Sequence, residues 1–145
     1  MDVKIIEEGL KVKIYGFSGI AINKDYTGTA FQLMNKMWSI VKSAALKNHG
    51  KNIWVYESGE KIFAGVELID IPGKTTGLEE KNITLKKYAY FKHIGPYNRI
   101  KQTGQQMEAE IKSQGFENCL PYIEIYGHWT NDETKLETEL LMCLK

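Results

Sequence analysis

Tyr122-Ile123-Glu124-Ile125-Tyr126 alternates polar or aromatic with aliphatic side chains, and Ile53-Trp54-Val55-Tyr56 alternates in the same sense in the first half. Successive side chains of a strand point to opposite faces, so a two-residue period marks both runs as strands with one aliphatic face. In the second run Tyr122, Glu124, Tyr126 and His128 share a face, and Ile123, Ile125 and Trp129 share the other. In the first run Trp54 and Tyr56 answer Glu124 and Tyr126 at an offset of roughly 70 residues, the difference between 53 and 123.

The segments around these runs follow the same order twice. Upstream of the first run, Leu10 to Ile22 reads as a strand, with Val12, Ile14 and Phe17 among polar residues and glycines. A helix is expected over about 31–46, capped by Thr27 or Thr29, because Phe31, Met34, Trp38, Val41 and Ala45 recur at helical spacing. Asn48-His49-Gly50 stops it. Asn52–Glu57 and Lys61–Ile69 form a hairpin through Ser58-Gly59-Glu60. Pro72, Gly73 and the polar residues to Lys81 make a connector. In the second half Asn82 to His93 reads as one long strand ended by Gly95-Pro96. A helix over about 97–113 follows, with Ile100, Met107 and Ile111 on one stripe and Gly115 as its stop. Strands over 122–129 and 135–144 flank a turn at Asn131-Asp132-Glu133. The expected architecture is α+β: two strand-helix-strand-strand repeats, about 10–71 and 82–145, with pseudo-twofold symmetry, an antiparallel sheet and two main helices. They form a single domain over 1–145, with a ligand cleft between the repeats.

Composition narrows the functional classes. The 145 residues carry a net charge of +1, with 43% hydrophobic and 26% charged residues, as in ordinary globular proteins. Lysines are scattered, and Arg99 is the single arginine, which argues against direct nucleic-acid binding. Cys119 and Cys143 lie far apart in sequence and form no CxxC pair, which fits reduced thiols in a cytoplasmic protein. No apolar run is long enough for a membrane span, and residues 1–8 do not resemble a signal peptide. His49, His93 and His128 lack metal-ligand spacing, and no motif calls for a metal or a cofactor.

The alternation puts Glu124 and Tyr126 on one cleft wall and Trp54 and Tyr56 on a facing wall. Aromatic faces attract cations, and a poorly solvated carboxylate adds a charge partner, so the constellation suits an organic cation. A solvated strand face accounts for the same residues without any ligand.

Tyr90-Phe91-Lys92-His93-Ile94-Gly95-Pro96-Tyr97, then Pro121-Tyr122-Ile123-Glu124-Ile125-Tyr126-Gly127, then Glu137-Thr138-Glu139-Leu140-Leu141-Met142 resemble the second half of the GyrI-like domain. That family supplies the effector-binding domains of AraC-type and MerR-type multidrug regulators, and the resemblance covers nearly the whole chain. It implies that Glu124 pairs with cationic, aromatic, amphipathic drugs. It implies an aromatic lining of Tyr126, Trp54, Tyr56, Tyr90 and Trp38, and Tyr122, on the same strand face as Glu124, joins them as a candidate ligand-binding residue. Only about ten residues precede the first expected strand, so the resemblance points to a stand-alone member without a helix-turn-helix. Transcription control would then need a partner chain. Some stand-alone relatives are hydrolases of electrophilic small molecules, which would make Glu124 the nucleophile or general base and Tyr126 or Tyr90 the proton donor or oxyanion partner. Others are inhibitors of DNA gyrase, which implies a protein partner.

Other residues have plainer roles. His93, just before Gly95-Pro96, is expected to hydrogen-bond the turn, and Trp38 falls on the apolar stripe of its helix. Glu137 and Glu139 share a strand face and suit a solvated edge better than paired acid-base work. Glu67 is a secondary candidate for a pocket carboxylate.

Overall fold

A computed structural model describes residues 1–70 and 76–145, so the expected connector at Pro72-Gly73 lies outside the described residues. Among the described residues the chain forms β1 (Lys4–Ile6), β2 (Leu10–Ile20), α1 (Tyr26–Ser43), β3 (Ile53–Glu57), β4 (Lys61–Val66) and β5 (Glu79–Leu85). It continues with β6 (Tyr88–Ile94), α2 (Ile100–Ser113), β7 (Asn118–Tyr126) and β8 (Glu137–Leu144). All eight strands join one antiparallel sheet in the order β1-β6-β8-β7-β3-β4-β2-β5. The architecture is α+β, as expected. No described helix is long and apolar enough to cross a membrane.

The strand order has a pseudo-twofold axis between β3 and β7, relating β4 to β8, β2 to β6 and β5 to β1. Each repeat therefore begins with an additional strand. β1 precedes β2 but pairs with β6 of the other repeat, while β5 precedes β6 but pairs with β2. Neither exchanged strand was expected. The run 82–93, read as one long strand, breaks at Lys86-Lys87 so that its two parts can join opposite ends of the sheet.

That break also sets the shape of the sheet. β5 and β6 stand six positions apart in the order, about 29 Å in a flat sheet at the usual strand spacing of about 4.8 Å. Three Cα steps from Leu85 to Tyr88 reach only about 11 Å. The sheet must curl. Its inner face accordingly closes on itself as a cluster of strand residues that includes Ile14, Ile53, Val55, Ile83, Leu85, Ile123 and Leu141.

The outer face carries the helices. Ile100, Met107 and Ile111 of α2 pack on Ala89, Leu140 and Met142, the stripe expected from spacing. On α1 the buried residues are Ala30, Met37 and Val41, so the helix is rotated from the expected stripe and Phe31 is 49% exposed. Asp25, not Thr27 or Thr29, caps α1, its carboxylate accepting from the Gly28 N–H at 3.0 Å. The helix thus starts one turn earlier than expected, which brings Tyr26 to its first position.

Candidate binding site

The β3–β7 register places Trp54 opposite Glu124 and Tyr56 opposite Tyr122. Residues directly opposite on neighbouring strands present side chains on the same face. The four side chains and Tyr126 therefore lie side by side on the sheet, in place of the two facing walls expected from sequence. They form a floor, and α1 and α2 are the walls. Because Trp54 and Glu124 correspond between repeats and are also opposite each other, the pseudo-twofold axis passes between them. The same position carries an indole in one repeat and a carboxylate in the other.

Glu124 is 5% exposed. Its Oε1 accepts hydroxyl hydrogen bonds from Tyr56 at 2.7 Å and Tyr126 at 2.6 Å, and its Oε2 accepts from Tyr122 at 2.8 Å. Three donors on two oxygens suit a carboxylate acting purely as acceptor. Among the described residues Glu124 has no ion-pair partner. A buried acid is ordinarily matched by a cation, so this one has hydrogen-bond support and no neutralising charge.

Above this floor lies a cleft of about 1150 Å³. Its α1 wall carries Tyr26, Phe31 and Met34, and its α2 side carries Tyr97, Ile100, Lys101, Gln105 and Glu108. Rings interlock around the carboxylate: Trp54 stands edge-on to Tyr126 at 4.9 Å and to Phe31 at 5.4 Å, while Tyr97 stands edge-on to Tyr126 at 5.6 Å. Tyr26 and Tyr122 each lean on Tyr56, at 5.7 and 5.3 Å. Such tilted and edge-on pairs suit the ring quadrupoles. The Trp54 Nε1–H is buried with no hydrogen-bond partner among the described residues, so the indole serves the floor through its ring. At the mouth Phe31, Tyr97, Leu120 and Trp129 are all substantially exposed.

Of the residues singled out from sequence, Glu124, Tyr126, Trp54, Tyr56 and Tyr122 meet in this cleft. Tyr90 does not. Its ring belongs to the inner cluster on the other sheet face, and its hydroxyl donates to Glu139 at 2.7 Å. Trp38 packs beside Phe17, Met37 and Val41, and its Nε1–H donates to Asn52 Oδ1 at 2.6 Å, one step behind the cleft. His128 is off the strand, because β7 ends at Tyr126, and it rests against Gly50 at the mouth. Glu67 is outside the cleft, and Glu137 is an exposed partner of Lys92 at 3.7 Å. The imidazole of His93, 6% exposed, bridges Thr103 Oγ1 at 2.8 Å and the Pro96 carbonyl at 3.0 Å. It thus ties the Gly95-Pro96 turn, which presents Tyr97, to α2. Tyr26, Phe31 and Tyr97 were missed as lining residues. Tyr26 and Tyr97 open the helical segments of the two repeats, so extending the repeat comparison to helix starts would have found the pair.

Burial, followed by the charge of Glu124, holds the phenols of Tyr56, Tyr122 and Tyr126 well above the ordinary tyrosine range. For a group whose folded pKa is raised, the stabilisation is complete below the unfolded value near 10 and is lost as pH rises past it toward the folded value. In an alkaline titration followed by tyrosinate absorbance, these three of the eight tyrosines are expected to ionise only as the chain unfolds. Reversible ionisation of all eight in a chain still folded by circular dichroism would contradict the buried cluster.

The chain resembles several solved structures over its whole length. SAV2435 bound to tetraphenylphosphonium matches with a TM-score of 0.68 and 16% identity, covering 100% of this chain and 94% of that one. The EcmrR C-terminal domain matches with a TM-score of 0.71 and 12% identity, covering 100% and 99%. A hydrolase from Listeria innocua matches with a TM-score of 0.60 and 10% identity, covering 99% and 91%. At these identities the likeness is one of fold, and it agrees with the architecture that the GyrI-like resemblance implies. No family model and no curated protein matches the sequence.

Proposed function

We propose that this chain binds aromatic, amphipathic organic cations in the cleft between its helices, with Glu124 as the counter-charge. The observation that carries this reading is a carboxylate 5% exposed, ringed by tyrosine hydroxyls and without an ion-pair partner among the described residues. A cation in the cleft gains both the charge of Glu124 and the faces of the surrounding rings. The fold is shared with a protein solved with tetraphenylphosphonium, which adds support. Drug-sized pockets span roughly 300–1,000 Å³, so the cleft has room for a bulky ligand.

Charge can be separated from shape with tetraphenylphosphonium and tetraphenylborate, which share one geometry and differ in sign. In a tryptophan-fluorescence titration the cation is expected to bind at least a hundredfold more tightly. Comparable affinities would remove Glu124 from the recognition and leave only apolar packing.

A second reading, hydrolysis of an electrophile with Glu124 as base or nucleophile, draws on the fold shared with the Listeria innocua hydrolase. Tyr126, 2.6 Å from Glu124, is the proton donor within reach, since Tyr90 lies on the other face. General acids work best with pKa values near the working pH, and this phenol is held far above it. That weighs against Tyr126 as the proton donor and leaves it the role of oxyanion partner.

A further inference from the structure

We propose that Cys119 and Cys143 form a vicinal dithiol site that captures trivalent organoarsenicals at the start of β7. The two residues are distant in sequence, but the β7–β8 register sets them directly opposite each other, so both side chains project from one face. Both are free and half-buried. Burial and the neighbouring Cys119 push the Cys143 thiol up to about 11, so it stays protonated at neutral pH. Disulfide exchange proceeds through the thiolate and is slow for a thiol held so high. Condensation with arsenic(III) starts from the neutral thiols.

An organoarsenic oxide carries the arsenic–oxygen bonds that this chemistry breaks. Two arsenic–sulfur bonds form, both thiol protons go to the oxygen, and it leaves as water. Arsenic remains trivalent and no oxidant is needed. The bridge leaves the sulfurs unbonded to each other, whereas a disulfide would draw them together to about 2.05 Å.

Cys143 packs against the inner cluster, so the thiols project from the sheet face opposite the cleft floor. Cys119 still borders the cleft, and the β7–β8 register shifts between Cys119 and Tyr122, whose hydroxyl holds Glu124. An arsenic bridge would pin the two strands immediately ahead of that irregularity. The dithiol site stands whether or not Glu124 binds cations.

The test uses the full chain and phenylarsine oxide, read by intact mass. The expected adduct is one phenylarsenic per chain with loss of water, stable to excess glutathione and removed by dimercaptopropanol. In Cys119→Ser and Cys143→Ser, glutathione alone should strip it. A glutathione-labile adduct on the wild-type chain, or one equally stable in either serine variant, would overturn the proposal. Should a variant fail to fold, wild-type chain alkylated beforehand with N-ethylmaleimide supplies the same comparison, and an adduct persisting there counts against the site.

Discussion

Glu124→Gln is expected to weaken tetraphenylphosphonium binding by a hundredfold or more in a fluorescence titration, while the chain stays folded. The substitution keeps an amide oxygen that accepts from Tyr56 and Tyr126, so the hydroxyl network around position 124 largely survives. What it removes is the charge. A buried cation left without its partner costs on the order of 3–5 kcal/mol, and each 1.4 kcal/mol is about a factor of ten. The low end already exceeds a hundredfold. Ring contacts with Trp54, Tyr56 and Tyr126 persist in the variant, so residual binding should still favour the cation over the borate, by far less than in the wild-type chain. Unchanged affinity for the cation would mean that the ligand does not reach the floor of the cleft, and the binding proposal would fail.

The largest stability loss is expected from Gly16→Ala, on β2 opposite Gly65 of β4. A Cβ there would lie 1.9 Å from the Ala64 carbonyl oxygen and 2.6 Å from the Gly65 Cα. Both obstacles are backbone and cannot turn aside, so β2 must move away from β4. Overpacking of this kind costs roughly 3 kcal/mol or more. For a chain of this size each 1 kcal/mol lowers Tm by about 2–4 °C, which predicts a fall on the order of 6–12 °C. Gly59→Ala is the control: nothing lies within 4 Å of its Cβ, and only its φ of +74° opposes a side chain. That strain costs about 1–2 kcal/mol. A thermal melt in which Gly16→Ala is no worse than Gly59→Ala would mean that β2 and β4 are not so closely apposed.

Much of this was legible in the residues, for identifiable reasons. The alternation through Tyr122-Ile123-Glu124-Ile125-Tyr126 and Ile53-Trp54-Val55-Tyr56 fixes which side chains share a face, because the strand period is two. The spacing of Ile100, Met107 and Ile111 fixes the buried stripe of α2. On α1 apolar residues occur nearly all round, so periodicity alone chose Phe31 and Trp38 where packing chose Ala30 and Met37. Tyr90 was misplaced because motif proximity says nothing about which face a side chain takes.

Local spacing along the chain thus determined the repeat, its strands and helices, and the acid and rings that share one strand face. Long-range pairing decided the rest. Which strands become neighbours depends on burying the inner face of a curled sheet, and no short segment encodes that. It exchanged β1 and β5 between the repeats and set Glu124 beside Trp54. It also brought two cysteines, distant in the chain, within reach of each other.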